Sequence, residues 1–214
     1  MKIAVSFLKS KYDLKTTIDK INDTDADYLH VDVMDGIFVP NISCIYNEVK
    51  DILKNSDKLL DIHLMVNNPI EYILDYKNIS PYSITIHSEI NNNIYDLIDL
   101  IHSFNIKAGI SIKPNTKVKE IEKYLNIVDN VLIMSVEPGL GGQKFMDKEV
   151  NKIEDLIELR KNKNYNYTIS IDGGINNETI NKVKDVDYVI SGSYICMSDN
   201  YQEKISILRG DINE

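Results

Sequence analysis

One repeated alternation constrains this chain more than any other feature. Eight short apolar, β-branched runs recur along it: IAVSFL (3–8), YLHVDVM (28–34), LLDIHLMV (59–66), SITIHS (83–88), AGISI (108–112), VLIMSV (131–136), YTISID (167–172) and YVISGS (188–193). Each has the length and the Ile/Val content of a strand. Between them lie longer stretches with helical spacing. Residues 13–21 put Leu14, Ile18 and Ile21 on one stripe, residues 93–104 do so with Ile94, Leu97, Ile98 and Ile101, and residues 148–161 set Val150, Ile153, Leu156 and Ile157 opposite charged positions. Strands separated by helices pair in parallel through right-handed crossovers. Eight such units predict an α/β protein, a closed (β/α)8 TIM barrel formed as a single domain over residues 1–214; an open doubly wound sheet is the alternative the same pattern allows. With 214 residues, 43% of them apolar, the chain has enough material for the packed core of such a barrel.

Charge and cysteine content exclude several functions. There are 24 basic and 33 acidic side chains, a formal net charge of −9, whereas nucleic-acid and anionic-membrane surfaces need clustered Lys and Arg. No apolar run approaches the ~20 residues that cross a bilayer. The opening MKIAVSFLKSKYD is too short for a signal-peptide core and fits a first strand. Cys44 and Cys196 are far apart and in no metal-type spacing, so a reduced, cytoplasmic chain without a disulfide framework is expected.

In such a barrel the chemistry sits at the carboxyl ends of the strands. The polar outliers there are Ser6, His30, Asp32, His63, His87, Asp172 and Ser193. Alternation puts His30, Asp32 and Met34 on one face of their strand, His63 and Met65 on one face of the next, and Ser170 with Asp172 on one face of the seventh. Apolar strands that bury ionisable groups must offset their desolvation. Two His and two Asp converging at the barrel mouth do so by holding one divalent metal ion, with Zn2+, Fe2+, Mn2+ or Co2+ suited to imidazole nitrogen and carboxylate oxygen. Glycines cluster after the late strands, in EPGLGG (137–142), DGG (172–174) and SGS (191–193). Such loops expose N–H donors and match the recurrent phosphate site of this barrel class, ordinary turns being the alternative. GLGGQK has neither the Walker nor the dinucleotide spacing.

HVDVMDGIFVPN (30–41), DIHLMV (61–66), MSVEPGLGGQKF (134–145), SIDGGIN (170–176) and SGSYI (191–195) resemble the ribulose-phosphate 3-epimerase family, in order along nearly the whole chain. The resemblance implies a ribulose-phosphate-binding (β/α)8 barrel, one divalent metal, and interconversion of D-ribulose 5-phosphate and D-xylulose 5-phosphate in the pentose phosphate pathway. Carried over by position, it implies metal ligands at His30, Asp32, His63 and Asp172, and a paired acid and base at Asp32 and Asp172. It implies substrate contacts at Ser6, His63, Met34, Met65 and Met134, and a phosphate site on Gly139, Leu140, Gly141, Gly142, Gly173, Gly174, Gly192 and Ser193. The expected partner is a small ketose phosphate, with no nucleic acid and no membrane, in a homo-oligomer. The sequence departs from the family pattern at Val5 in place of proline, Leu140 in place of phenylalanine, Asn115 in place of glycine, and along ISCIYNEV (42–49).

Other residues read more plainly. His87 is expected as a hydrogen-bonded packing residue, His102 as exposed, Asp35 as orienting its loop, and Lys144 as either solvated or near the phosphate. Three rival functions are an epimerase for another ketose phosphate such as D-allulose 6-phosphate, a non-catalytic sugar-phosphate-binding barrel, and a decarboxylase or synthase, for which Lys113 is the obvious strand-end lysine.

Overall fold

Parallel pairing runs without a break around the chain. The computed structural model describes residues 1–212. Strand β1 (Lys2–Ser6) pairs with both β2 (Tyr28–Asp35) and the last strand. From β2 the ladder passes through β4 (Leu59–Met65), β5 (Ser83–His87), β6 (Lys107–Ile112), β7 (Asn130–Met134) and β8 (Thr168–Asp172) to β9 (Tyr188–Ser191). These eight strands close on themselves, which settles the choice between barrel and open sheet in favour of the (β/α)8 barrel.

One further strand was not expected. β3 (Ile42–Ser43) folds back antiparallel onto the end of β2, pairing Met34 with Ser43 and Asp35 with Ile42. It is seeded by the Gly36 N–H donating to Asn41 O at 2.9 Å, and Ser43 Oγ donates to Asp32 O at 2.5 Å. A two-residue strand carries too little hydrophobic period to be read from sequence.

The crossovers follow local capping chemistry. α1 (Leu14–Asn22) starts at Asp13, whose carboxylate accepts from Thr16 N–H, and α4 (Ile94–Ser103) starts at Asn93, whose side chain accepts from Tyr95 N–H. The expected α4 stripe of Ile94, Leu97, Ile98 and Ile101 is buried throughout. α2 (Tyr46–Leu53), α3 (Pro69–Tyr76), the single turn α5 (Val118–Ile121), α7 (Ser193–Cys196) and α8 (Tyr201–Arg209) complete the set. The third predicted helix divides: Asp147–Val150 form a 3-10 turn, and α6 runs Asn151–Lys163 until Asn164 at φ 54 ends it. The crossover from β8 to β9 holds only a 3-10 turn at Ile180–Lys182. There Asn176 Oδ1 accepts from Glu178 and Thr179 N–H, as the caps at Asp13 and Asn93 do for their helices, and a single 3-10 turn follows.

Alternation along each strand divides the core in two. Leu29, Val31 and Val33 of β2 face the helices, while Tyr28 and Met34 belong to clusters inside the barrel. The interior is unusually polar above its tyrosine floor: His30, Asp61, His63, Ser83, Thr85, His87, Ser111 and Ser170 are all buried. Among the described residues no helix is long and apolar enough to cross a membrane.

Candidate active site

Strand register assembles the site. Asp32 lies beside His63, Met34 beside Met65, Met134 beside Asp172, and Ser6 beside His30. One ligating atom from each of His30, Asp32, His63 and Asp172 lies within 4.8 Å of the others. Asp32 is the hub. Its Oδ2 accepts from Ser6 Oγ at 2.7 Å, and its Oδ1 stands 3.2 Å from His63 Nδ1 and 3.4 Å from His30 Nε2.

The outer nitrogens of both histidines are anchored. His30 Nδ1 donates to Asp61 Oδ2 at 2.8 Å, and Asp61 Oδ1 accepts from Ser83 Oγ at 2.6 Å. His63 Nε2 shares a 2.9 Å hydrogen bond with His87 Nε2, and His87 Nδ1 donates to Glu89 Oε2 at 3.0 Å. Glu89 Oε1 also accepts from Lys113 N and Thr116 Oγ1. His30 Nε2 is left fully buried with no hydrogen-bond partner, an expensive arrangement unless a cation takes its lone pair. An orphaned imidazole nitrogen beside a second imidazole and two carboxylates is a donor set that fits a divalent metal.

The two aspartates have opposite proton affinities. Burial raises both. For Asp32 the His30 charge, 3.4 Å away, and the hydrogen bond from His63 outweigh burial and hold the carboxyl far below the usual range. Asp172 has no such compensation: burial, then the negative charge of Asp32, push it up to about 7. Burial lowers His30, yet Asp32 and Asp61 more than reverse this and leave it well above an ordinary histidine. Burial dominates at His63, which is lowered, and at His87, which falls to about 4.

Above this cluster opens a cavity of about 400 Å³. Ser6, Met34, Met65, Met134, Gly139, Leu140, Gly141, Gly142, Gly173, Gly174, Gly192 and Ser193 all line it, with Asp32 and Asp172 at its base. His63, expected among the substrate contacts, is instead fully buried and outside the lining. Gly174 could be no other residue: at φ +66 its Cβ would stand 2.5 Å from the Phe145 backbone nitrogen. Two loops on the rim are joined where Asn41 Nδ2 donates to Gly139 O at 2.6 Å.

Several secondary expectations hold. Asp35 accepts from Ile37, Phe38 and Asn67 N–H and so fixes its loop. Lys144 is exposed and outside the lining, and Lys113 sets its ammonium on the Phe38 ring, also outside the lining. Both cysteines are free. Three residues escaped the sequence reading: Asp61, Glu89 and Lys9. Asp61 stands two positions from His63 on β4, a spacing that points to the same strand face, whereas Glu89 lies in the turn after β5, where no such period applies. Lys9 is the only Lys or Arg among the described residues lining the cavity, and it packs against Gly141 and Gly142.

Comparison with known proteins agrees with this geometry. The model of the ribulose-phosphate 3 epimerase family matches residues 2–196. The chain belongs to the ribulose-phosphate 3-epimerase family. Ribulose-phosphate 3-epimerases of Helicobacter pylori and Bacillus subtilis are 38% and 33% identical to it. The first alignment covers 91% of this chain and 90% of that protein, the second 98% and 99%. Membership of this epimerase family makes the chain an isomerase acting in sugar-phosphate metabolism. Among solved structures, KGPDC from Streptococcus mutans superposes with a TM-score of 0.70 at 13% identity, covering 98% of this chain and 96% of that one. A 3-hexulose-6-phosphate synthase from Salmonella typhimurium gives 0.68 at 17%, covering 98% and 97%. These two likenesses concern the barrel alone.

Proposed function

We propose that this epimerase-family protein interconverts D-ribulose 5-phosphate and D-xylulose 5-phosphate by inverting C3. The observation that carries the reading is the pair Asp32 and Asp172: two carboxylates from β2 and β8, converging on one cavity, with proton affinities pushed in opposite directions. Inversion at a carbon next to a carbonyl needs a base on one face and an acid on the other. One of the two, ionised, removes the C3 proton; the other, protonated, delivers one to the opposite face, and the roles exchange for the reverse reaction. Ser6 donates to Asp32 Oδ2 and so aims the carboxylate.

His30, Asp32, His63 and Asp172 would hold one divalent ion, Zn2+, Fe2+, Mn2+ or Co2+. When bound, such an ion supplies Lewis-acid stabilisation of the negative charge that develops on the substrate oxygens. Met34, Met65 and Met134 line the cavity beside the carboxylates with apolar, polarisable surface that carries no competing proton. The phosphate binds at the glycine loops of residues 139–142, 173–174 and 192–193, where Lys9 adds a cation to the lining. Holding the remote phosphate positions C3 between the two carboxylates. We place the protein in the cytoplasm, consistent with its two free cysteines, and as a homo-oligomer, consistent with Ile37 and Ile42 left 76% and 67% exposed near the rim.

Incubation with D-ribulose 5-phosphate in D2O, followed by proton NMR, tests substrate, bond and product together. The expected result is deuterium at C3 and appearance of D-xylulose 5-phosphate. No exchange by metal-reconstituted protein refutes the reading in favour of a binding barrel, and faster turnover of D-allulose 6-phosphate refutes the pentose assignment.

A further inference from the structure

The proton inventory of the buried chain from Asp32 to Glu89 bears on how the metal site is set, and it rests on the metal reading above. Four groups stand in a row: the Asp32 carboxylate, the imidazoles of His63 and His87, and the Glu89 carboxylate, at successive separations of 3.2, 2.9 and 3.0 Å. A carboxylate only accepts, and a neutral imidazole carries one proton and one lone pair. Two neutral imidazoles therefore bring two protons to three contacts. If Asp32 and Glu89 each take one, the two Nε2 atoms in the middle face each other lone pair to lone pair. The conflict disappears when Glu89 holds the His87 proton on Nδ1, His87 Nε2 accepts from His63 Nε2, and the His63 Nδ1 lone pair is left for a cation beside Asp32.

We infer that His87 and Glu89 are positioning residues that fix the tautomer of His63 and so present its Nδ1 lone pair to the metal. Asp61, held by Ser83, does the same for His30: it takes the Nδ1 proton and leaves Nε2, the orphaned atom, facing Asp32. Glu89 is well suited to the task. It takes two further hydrogen bonds, from Lys113 N and Thr116 Oγ1, which pin it in place, and His87 is fully buried so that no water competes for its ring. A ligating histidine whose outer N–H is anchored in this way has a fixed ring orientation, and loss of the anchor typically weakens metal binding ~10- to 100-fold.

The substitution Glu89→Gln tests this. An amide can turn its NH2 to His87 Nδ1, which moves the His87 proton to Nε2 and the His63 proton to Nδ1, where it blocks the metal. Titration calorimetry with Mn2+, Co2+ and Zn2+ on the full chain should show a Kd raised ~10- to 100-fold in Glu89→Gln. Thr116→Val, which removes a loop hydrogen bond to Glu89 and leaves the His87 contact, should bind as the unmodified protein does. Equal affinity of Glu89→Gln and unmodified protein overturns the inference, and so does a loss in Thr116→Val as large as in Glu89→Gln. A measurement that needs no substitution is 15N–1H NMR of the Zn2+-loaded protein. It should find His63 protonated on Nε2 and His87 on Nδ1, and His87 protonated on Nε2 overturns the inference. Failure of the unmodified protein to bind any of the three ions overturns the metal reading itself, and this inference with it.

Discussion

Asp172→Asn separates catalysis from stability, because the structure makes Asp172 costly to ionise. Burial and the Asp32 charge raise its pKa from 3.8 to about 7 in the metal-free fold. A carboxyl with a raised folded pKa binds its proton more tightly in the native than in the unfolded state, so its contribution is favourable at low pH. It is lost as pH climbs from about 4 through about 7. At about 1.4 kcal/mol per unit, the gap of roughly three units is on the order of 4 kcal/mol above pH 7. Asp172 keeps part of its surface open to the cavity, and solvent screening trims this to about 2 kcal/mol. Asparagine keeps the shape and never ionises. The metal-free variant should therefore match the parent near pH 4.5 and exceed it by about 2 kcal/mol at pH 8, measured by urea denaturation with a chelator present. Epimerisation should fall by ~10²-fold or more, since one of the two proton-transfer groups is gone. A variant no more stable than the parent at pH 8 refutes the burial argument, and near-full activity refutes the two-carboxylate scheme.

Three further outcomes are expected. Dialysis against a strong chelator should abolish activity and addition of Mn2+, Co2+ or Zn2+ should restore it; activity that persists after verified metal removal takes the ion out of the mechanism. In the Asp172→Asn variant, which lacks the opposing Asp172 titration over the same range, acid should destabilise the fold in two steps. His87, held neutral by burial with a pKa near 4, protonates near 6.5 once unfolded, so stability falls as pH drops from about 6.5 to 4. Burial raises Glu89, but the His87 contact outweighs it and brings the group to about 2; its contribution is lost between about 4.5 and 2. A flat urea midpoint between pH 6.5 and 4 contradicts the first step. Lys9→Ala should raise KM for the sugar phosphate about fivefold at low salt, equivalent to about 1 kcal/mol for an exposed ion pair, with kcat within twofold. A KM that does not move with the substitution removes Lys9 from the phosphate site.

Much of this was readable in the sequence because the signals were local and periodic. The eight strands announced themselves as Ile/Val runs, and period-two alternation put His30, Asp32 and Met34 on the inner face, where the structure places them. Asp13 and Asn93 capped helices where the expected stretches began. The misses share a cause. β3 depends on a turn closed between Gly36 and Asn41 and on partner strand β2, and neither leaves a run of its own. Lys9 follows the first apolar run with no motif of its own; barrel closure brings it against Gly141 and Gly142. Asp61 lies in a run whose apolar neighbours dominate the pattern, and its importance comes from His30, 31 positions away in the chain; Glu89 sits in a turn, and its importance comes from a His87 that is itself placed by His63 on another strand.

The amide of Asn41 reaching across to the Gly139 carbonyl makes two distant stretches of chain a single mechanical unit. Swapping only the segment that carries Asn41 into a homologous barrel, or only the one that carries Gly139, strands half of that clasp. Chimeras intended to retune substrate choice should transplant both stretches together.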